Sequence, residues 1–312
     1  MITLTQLEYI VALDTHRHFV TAAEQCNVTQ PTLSMQVKKL ENFLGILIFD
    51  RSKQPFVPTA IGKKVISQAR VVMAESKRIS DIISNEQTIL EGSLSVAVIP
   101  SLAPYLLPLF IGSFNAKYPH IHLKIKELLT EEIIEELKIG MIDIGILVTP
   151  LKEHGIIEKP LFYEEILLYV NQNHPFANKK IVNTNEIGTP DLWLLSKGHC
   201  FRSQVINLCS YTMDKQESFH FEYESGSLET LKRFVEMEGG FTLLPELAAK
   251  NLSSKNAKIR NFKLTKPLRE VGLVYSNTFS KTKIIDAFSN SILEAIPTKL
   301  QNKERGVVVE WK

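Results

Sequence analysis

The chain has 312 residues, 44% of them hydrophobic and 22% charged, with 36 Lys and Arg against 34 Asp and Glu. That length accommodates two domains, or a small module beside a larger one. No unbroken run of about 18 apolar residues exists, which argues against a bilayer span, and a net charge of +2 is too small to imply nucleic acid by itself, so any DNA site must be local.

The opening stretch, "MITLTQLEYIVALDTHRHF", interleaves polar and apolar residues. It lacks the basic start and apolar core of a secretion signal, so the expected compartment is the cytoplasm. There structural disulfides are rare, and a formed one is usually transient. Leu4, Leu7, Ile10 and Val11 recur at helical spacing. A second short helix fits "FVTAAEQC" and a third runs from about Gln30 to Leu44. Pro55 and Pro58 then interrupt a β-prone stretch, "ILIFDRSKQPFV". From Ala60 to about Gln87 neither Pro nor Gly occurs after Gly62, and apolar residues continue at helical intervals. A helix this long, without a sequence neighbour to cover it, predicts pairing with a second copy of itself.

After Gly92 the texture changes. "LSVAVIP" and "IGILV" read as buried strands, "HLKIKELL" as an alternating one, and "TEEIIEELKIG" as a helix between them. Such alternation predicts parallel sheets with helical crossovers. The expected domains are residues 1–58, a linker helix at 59–90, a sensor at 91–300 and a poorly ordered tail at 301–312.

Within the first module, Leu33, Val37, Leu40 and Leu44 fall on one helical face, which predicts its burial. Thr29 stands at the N-cap position, and Pro31 is tolerated in the first turn. Gln30, Pro31, Thr32, Ser34, Met35 and Lys38 are left for the helix start and the opposite face. A compact helix, a turn at "CNV" and a helix led by small polar residues form the helix-turn-helix pattern. In that pattern Gln30 can pair with a base edge, Thr32 and Ser34 can reach bases or phosphates, and Lys38 can neutralise phosphate. Arg51, Lys53 and Lys63 follow in a segment placed to act as a wing. Periodicity alone fits a plain helical bundle with a solvated face equally well.

The residues themselves are more specific. "AAEQCNVTQPTLSMQVKKLENFLGILIFDR" resembles the DNA-binding motif of LysR-type transcriptional regulators almost position by position. The resemblance implies an N-terminal winged helix-turn-helix, a dimerising linker helix and a two-lobed α/β sensor of the periplasmic-binding-protein kind. It also implies double-stranded promoter DNA, RNA polymerase and a homodimer or homotetramer as partners, with no membrane role and no enzymatic activity.

Residues 198–209 read "GHCFRSQVINLC". Besides Cys200 and Cys209 the chain has only one cysteine, Cys26, which reads with His16 and His18 as a structural or surface residue of the first module. "LLSKGHCFRSQVINLC" looks like the sensor segment of the hydrogen peroxide-responsive members of the LysR-type family, and so do "EYIVALDTHRHF", "IPSLAPYLLP", "SLETL" and "GGFTLLPELA". That resemblance implies Cys200 as the peroxide-reactive thiol and Cys209 as the resolving thiol, with His199 and Arg202 nearby and Ser101 and Thr130 reaching in from the other lobe. It implies a reversible disulfide that changes DNA binding and activates antioxidant genes, reset by a glutaredoxin- or thioredoxin-type reductant. Ser101 stands where these regulators usually carry threonine; the hydroxyl survives and a rotamer-fixing methyl is lost.

The chemistry follows on its own terms. A thiolate attacks peroxide, so the reactive cysteine needs a lowered pKa and nearby donors. Arg202 would supply the charge, His199 a donor or second charge, and Ser101 and Thr130 hydroxyls for the peroxide oxygens. Phe201, Val205 and Leu208 lie at helical spacing. If the segment is helical, its two cysteines lie about 13 Å apart along the axis and on opposite sides, whereas a disulfide needs Cα atoms within about 7 Å. Oxidation would then have to unwind it. Zinc is disfavoured, because His199 and Cys200 are adjacent and offer only a third ligand in Cys209. No cofactor is expected. Two rival functions are a metabolite-binding LysR-type regulator with incidental cysteines and a thiol peroxidase. His220 is a further candidate for approach to the switch.

Overall fold

The computed structural model describes all residues except 54, 87–89, 210–224, 251, 253, 264–265 and 312, together with the side chains of 77 and 80–86. His220 therefore lies outside the described residues, as does the end of the expected linker at 87–89. The chain forms two compact units: residues 1–88 with 136–141 and 278–281, and the remainder.

In the first unit, α1 (Leu4–His16), α2 (Phe19–Gln25) and α3 (Gln30–Leu44) are followed by a two-stranded antiparallel wing, β1 (Phe49–Asp50) and β2 (Val57–Pro58). Helix α4 (Ala60–Glu86) closes the unit. A capping box starts α1: the Gln6 amide donates to Thr3 Oγ1, and the Thr3 amide donates to Gln6 Oε1, both at 3.2 Å. The paired Ala22 and Ala23 are buried with Ile10, Leu13, Leu33, Val37 and Leu40, where small side chains let three helices approach closely. Leu44, expected on the same face, is half-buried. Gly45, at φ +66°, ends α3 in the left-handed region that a side chain resists. The Arg70 guanidinium on α4 pairs with Asp14 of α1 at 2.8 Å and fixes α4 to the bundle.

The second unit is built on β3 (Gly92–Val98), β4 (Ile121–Glu127), β5 (Ile144–Thr149), β6 (Ile156–Asn171), β7 (Ile181–Val182), β8 (Phe241–Pro245), β9 (Ala257–Phe262), β10 (Pro267–Ser276) and β11 (Val307–Val308). Its helices are α5 (Ala103–Lys117), α6 (Thr130–Lys138), α7 (Cys200–Cys209), α8 (Leu228–Glu238), α9 (Glu246–Ala249) and α10 (Thr282–Ala295). β3 runs parallel to β4 and β5, as the alternating pattern predicts. The long strand β6 departs from that pattern: residues 156–165 pair antiparallel with β10, while 166–171 pair antiparallel with β8 and β9. One continuous strand thus serves both lobes. The first lobe packs Phe110 and Phe114 edge-on against Phe288, with centroids 5.3 and 5.2 Å apart. The second lobe centres on Phe201, Val205, Cys209, Leu231, Val235 and Phe241.

The terminal segment is ordered, contrary to expectation. β11 adds parallel to the start of β10, and the Val309 amide donates to the Leu268 carbonyl at 2.8 Å. Val307 and Val308 add to the sheet edge, Val309 packs on the core of the second lobe and Trp311 is buried, while the Val307 side chain stays exposed. Among the described residues, no helix is long and apolar enough to cross a membrane.

Candidate functional site

Cys200 is the first residue of α7 and is 3% exposed. The preceding turn depends on Gly198, whose φ of +93° disfavours any side chain and whose added Cβ would sit 3.1 Å from Leu129. The second lobe supplies α7, and the first lobe surrounds its N-terminal end. Ser101 follows β3, Thr130 opens α6, Val148 lies in β5 and Arg269 in β10.

Arg269 is fully buried and is the main cation of the site. Its Nε and Nη2 donate to Glu164 Oε1 at 2.8 and 2.6 Å, its Nη1 to Ser101 Oγ at 3.0 Å and its Nη2 to the Ser101 carbonyl at 3.2 Å. The guanidinium lies 5.3 Å from the centre of the Phe201 ring. Ser101 Oγ therefore accepts from Arg269 and keeps its own proton to donate. That bond fixes the serine rotamer which the missing methyl would otherwise set. Among the described residues, Thr130 Oγ1 is buried and meets no partner at hydrogen-bonding geometry, yet it lies near enough to Cys200 to favour its thiolate. It is a donor waiting for an acceptor.

Burial pushes the Cys200 thiol above the usual range, and the Thr130 hydroxyl, the Arg269 charge and the backbone of Phe201 and Val148 pull against it. The lowered value expected for a reactive thiol is therefore absent at rest. Glu164 gives one reason, since it neutralises much of the Arg269 charge. Burial also lowers the pKa of His199, so its imidazole is a neutral hydrogen-bonding group, not a second cation.

Arg202, expected to supply the charge, turns away: its Nη1 donates to the Leu195 carbonyl at 2.6 Å. Residues two apart on a helix do not share a face. Cys209 ends the helix, 4% exposed, in the core of the second lobe. Its thiol donates to the Val205 carbonyl at 2.8 Å. The helix expected from Phe201, Val205 and Leu208 is present, and its nine steps from Cys200 to Cys209 put the two residues about 13.5 Å apart in axial rise. Among the described residues no group of three His, Cys, Asp or Glu is placed to hold a metal ion.

In the first unit, Gln30, Pro31 and Lys38 are exposed and Thr32 and Ser34 half-buried along α3. Thr29 occupies the N-cap position without capping, because its hydroxyl bonds to that of Thr32 at 2.8 Å. The Arg51 guanidinium, expected at phosphate, pairs with buried Glu41 at 3.0 Å. Glu41 in turn accepts from the amides of Ile48 and Phe49 at 2.8 and 3.3 Å, so this cluster anchors the wing to α3. The partly exposed Arg51 retains donors that face solvent.

A winged helix-turn-helix and a two-lobed sensor on one chain define a transcription regulator that senses and reads DNA with the same polypeptide. Residues 4–63 match the bacterial regulatory helix-turn-helix protein, lysR family, and residues 88–297 match the LysR substrate binding domain. The chain belongs to the LysR family. It is 36% identical over 273 residues to the hydrogen peroxide-inducible genes activator of Haemophilus influenzae, covering 87% of this chain and 90% of that protein. It is 35% identical to the DNA-binding transcriptional dual regulator OxyR of Escherichia coli, with 87% and 88% covered. A full-length OxyR variant from Pseudomonas aeruginosa superposes with a TM-score of 0.81 at 33% identity, covering 95% of this chain and 99% of that one. A hydrogen peroxide-bound OxyR mutant from Corynebacterium glutamicum gives 0.62 at 28% identity, with 94% and 92% covered.

Proposed function

We propose that this chain is a hydrogen peroxide-sensing transcriptional regulator whose Cys200 is the sensor and Cys209 the resolving thiol. The observation that carries the reading is the burial of Cys200 beside Thr130 and Arg269, the latter bonded to Ser101, with Cys209 at the far end of the same helix. The Cys200 thiolate attacks one peroxide oxygen; the O–O bond breaks, Cys200 becomes a sulfenic acid and the other oxygen leaves as hydroxide. The Cys209 thiol then displaces the sulfenic hydroxyl, the S–S bond forms, and water carries away the proton and hydroxyl. In this reading Thr130 and the Ser101–Arg269 pair donate to the peroxide oxygens as charge develops on them, which the unpartnered Thr130 hydroxyl and the Arg269–Ser101 bond support. The helical separation then requires 200–209 to unwind before the bond closes.

At the DNA, Gln30 reads a base edge, Thr29, Pro31, Thr32 and Ser34 line the contact, and Lys38 and Arg51 meet phosphate. Residues 1–58 form the DNA-binding domain, 59–90 a linker helix through which the chain dimerises or tetramerises, and 91–300 the sensor. The protein works in the cytoplasm on promoter DNA with RNA polymerase, and a glutaredoxin- or thioredoxin-type protein resets the disulfide. It senses peroxide stoichiometrically and does not turn it over.

Two replacements test the assigned order. Cys200→Ser abolishes the reaction, because an alcohol is a far poorer nucleophile than a thiolate. Cys209→Ser still reacts and stops at a sulfenic acid that a dimedone-type probe traps. A Cys209→Ser protein with nothing to trap, beside a wild type that forms the 200–209 bond, overturns the order.

A further inference from the structure

The terminal segment spans the two halves of the site. On one side its β11 lies on the start of β10, and Val309 bonds to Leu268, the residue before Arg269. On the other side it holds α7. Gln204 Nε2 donates to the Val309 carbonyl at 2.8 Å and Asn207 Nδ2 to the Glu310 carbonyl at 3.0 Å. These two amides stand three residues apart and so share one face of the helix. Val309 packs on the core that contains Phe201 and Val205, and Trp311 is buried beyond it. Gly306 leaves no room for a Cβ, which would strike the Lys266 carbonyl, so the segment seats closely on the strand.

Gln204 makes the arrangement conditional. It is fully buried, and among the described residues its Oε1 meets no hydrogen-bond partner, so its bond to Val309 offsets part of the cost of burying the amide. Both tethers lie between Cys200 and Cys209, and their shared face exists only while that segment is helical. A 200–209 disulfide removes the helix and with it the register of Gln204 and Asn207.

We propose that residues 306–311 form a strap that stabilises the helical dithiol form of 200–209 and lets go when the Cys200–Cys209 bond forms. The inference rests on the thiol switch proposed above. Linkage fixes its sign. A segment that docks to only one of two forms favours that form, and the change of form weakens the docking equally. The strap therefore opposes the disulfide, and the disulfide loosens the strap.

Hydrogen exchange of the full chain, read by mass spectrometry over 306–311, tests this directly. The Val309 amide exchanges slowly in the reduced protein and at least tenfold faster once peroxide has closed the bond. Peroxide-treated Cys209→Ser, which oxidises without closing it, keeps the slow rate. A confirmed 200–209 bond with unchanged exchange overturns the strap and leaves the switch standing; a wild type that forms no such bond overturns both. Asn207→Ala removes one tether from an exposed position. In a glutathione buffer, where oxidised glutathione takes two electrons and two protons from the cysteines and leaves as two thiols, this variant shifts the equilibrium about threefold toward the disulfide, the scale of one lost hydrogen bond. An unshifted equilibrium contradicts the proposal.

Discussion

Helices α3 and α7 place most of their polar side chains in opposite ways. Apart from Glu41, which anchors the wing, α3 buries apolar residues, Leu33, Val37 and Leu40, and leaves Gln30, Pro31 and Lys38 exposed. α7 buries Cys200, Gln204 and Cys209 along with Phe201 and Val205. The first helix keeps its shape whatever its outer face touches, which suits a reader of DNA. The second depends on polar groups inside the protein, where a lost hydrogen bond is expensive and chemistry at one sulfur alters the stability of the whole segment. A binding surface is thus separable from its scaffold, and a switch is not.

That contrast is broken most severely at Arg269. Arg269→Met removes the partner of a fully buried carboxylate and leaves Glu164 uncompensated, a loss of about 3–5 kcal/mol that thermal unfolding reads. Peroxide oxidation of Cys200 slows as well. Arg269→Lys restores charge without the fork that holds Glu164 and Ser101 together, and it recovers only part of either loss. Full stability in Arg269→Met removes it from the centre of the site.

On α3 the effects are smaller and stability stays constant. Gln30→Ala relaxes preference at one base pair, by about 1–3 kcal/mol, while Lys38→Ala weakens all sequences alike and lowers the salt slope by about one. Titrations against a site and its single-base variants at several salt concentrations separate the two. Equal loss of specificity from both means that α3 docks otherwise.

The pH dependence of oxidation sharpens the account of Cys200. Because burial holds the thiol above its usual range, only a small fraction is thiolate at neutral pH. The rate of sulfenic acid formation therefore keeps rising with pH past the ordinary thiol value of about 8.5, by up to roughly tenfold per unit. A rate that levels off near pH 7 means that the pocket already holds a thiolate.

Much of this was legible in the residues. The α3 face, the long α4 and the helix at 200–209 follow from apolar spacing, and the ten-residue helix between two cysteines carries the geometric argument for unwinding. Arg269 is hidden because it lies 69 residues beyond Cys200 in sequence, in a largely apolar stretch, "PLREVGLVYS", with no motif of its own. A charge pair inside such a run, Arg269 beside Glu270, was its only local signal, since buried charges need partners. Arg202 stands two residues from Cys200 in sequence, a proximity that a helix converts into separation in space. The β6–β10 pairing joins segments about a hundred residues apart and leaves no local trace. The terminal strand did leave one, three consecutive valines after Gly306, although its partners are distant.

The central claim is that chemistry at Cys200 changes what α3 does at a promoter. Footprints of the full-length protein on one promoter, reduced and then peroxide-treated with the 200–209 bond verified by mass, test it most directly. The account predicts a different footprint for the oxidised wild type and an unchanged one for Cys200→Ser under the same treatment. Identical footprints from the two verified forms of the wild type would contradict it.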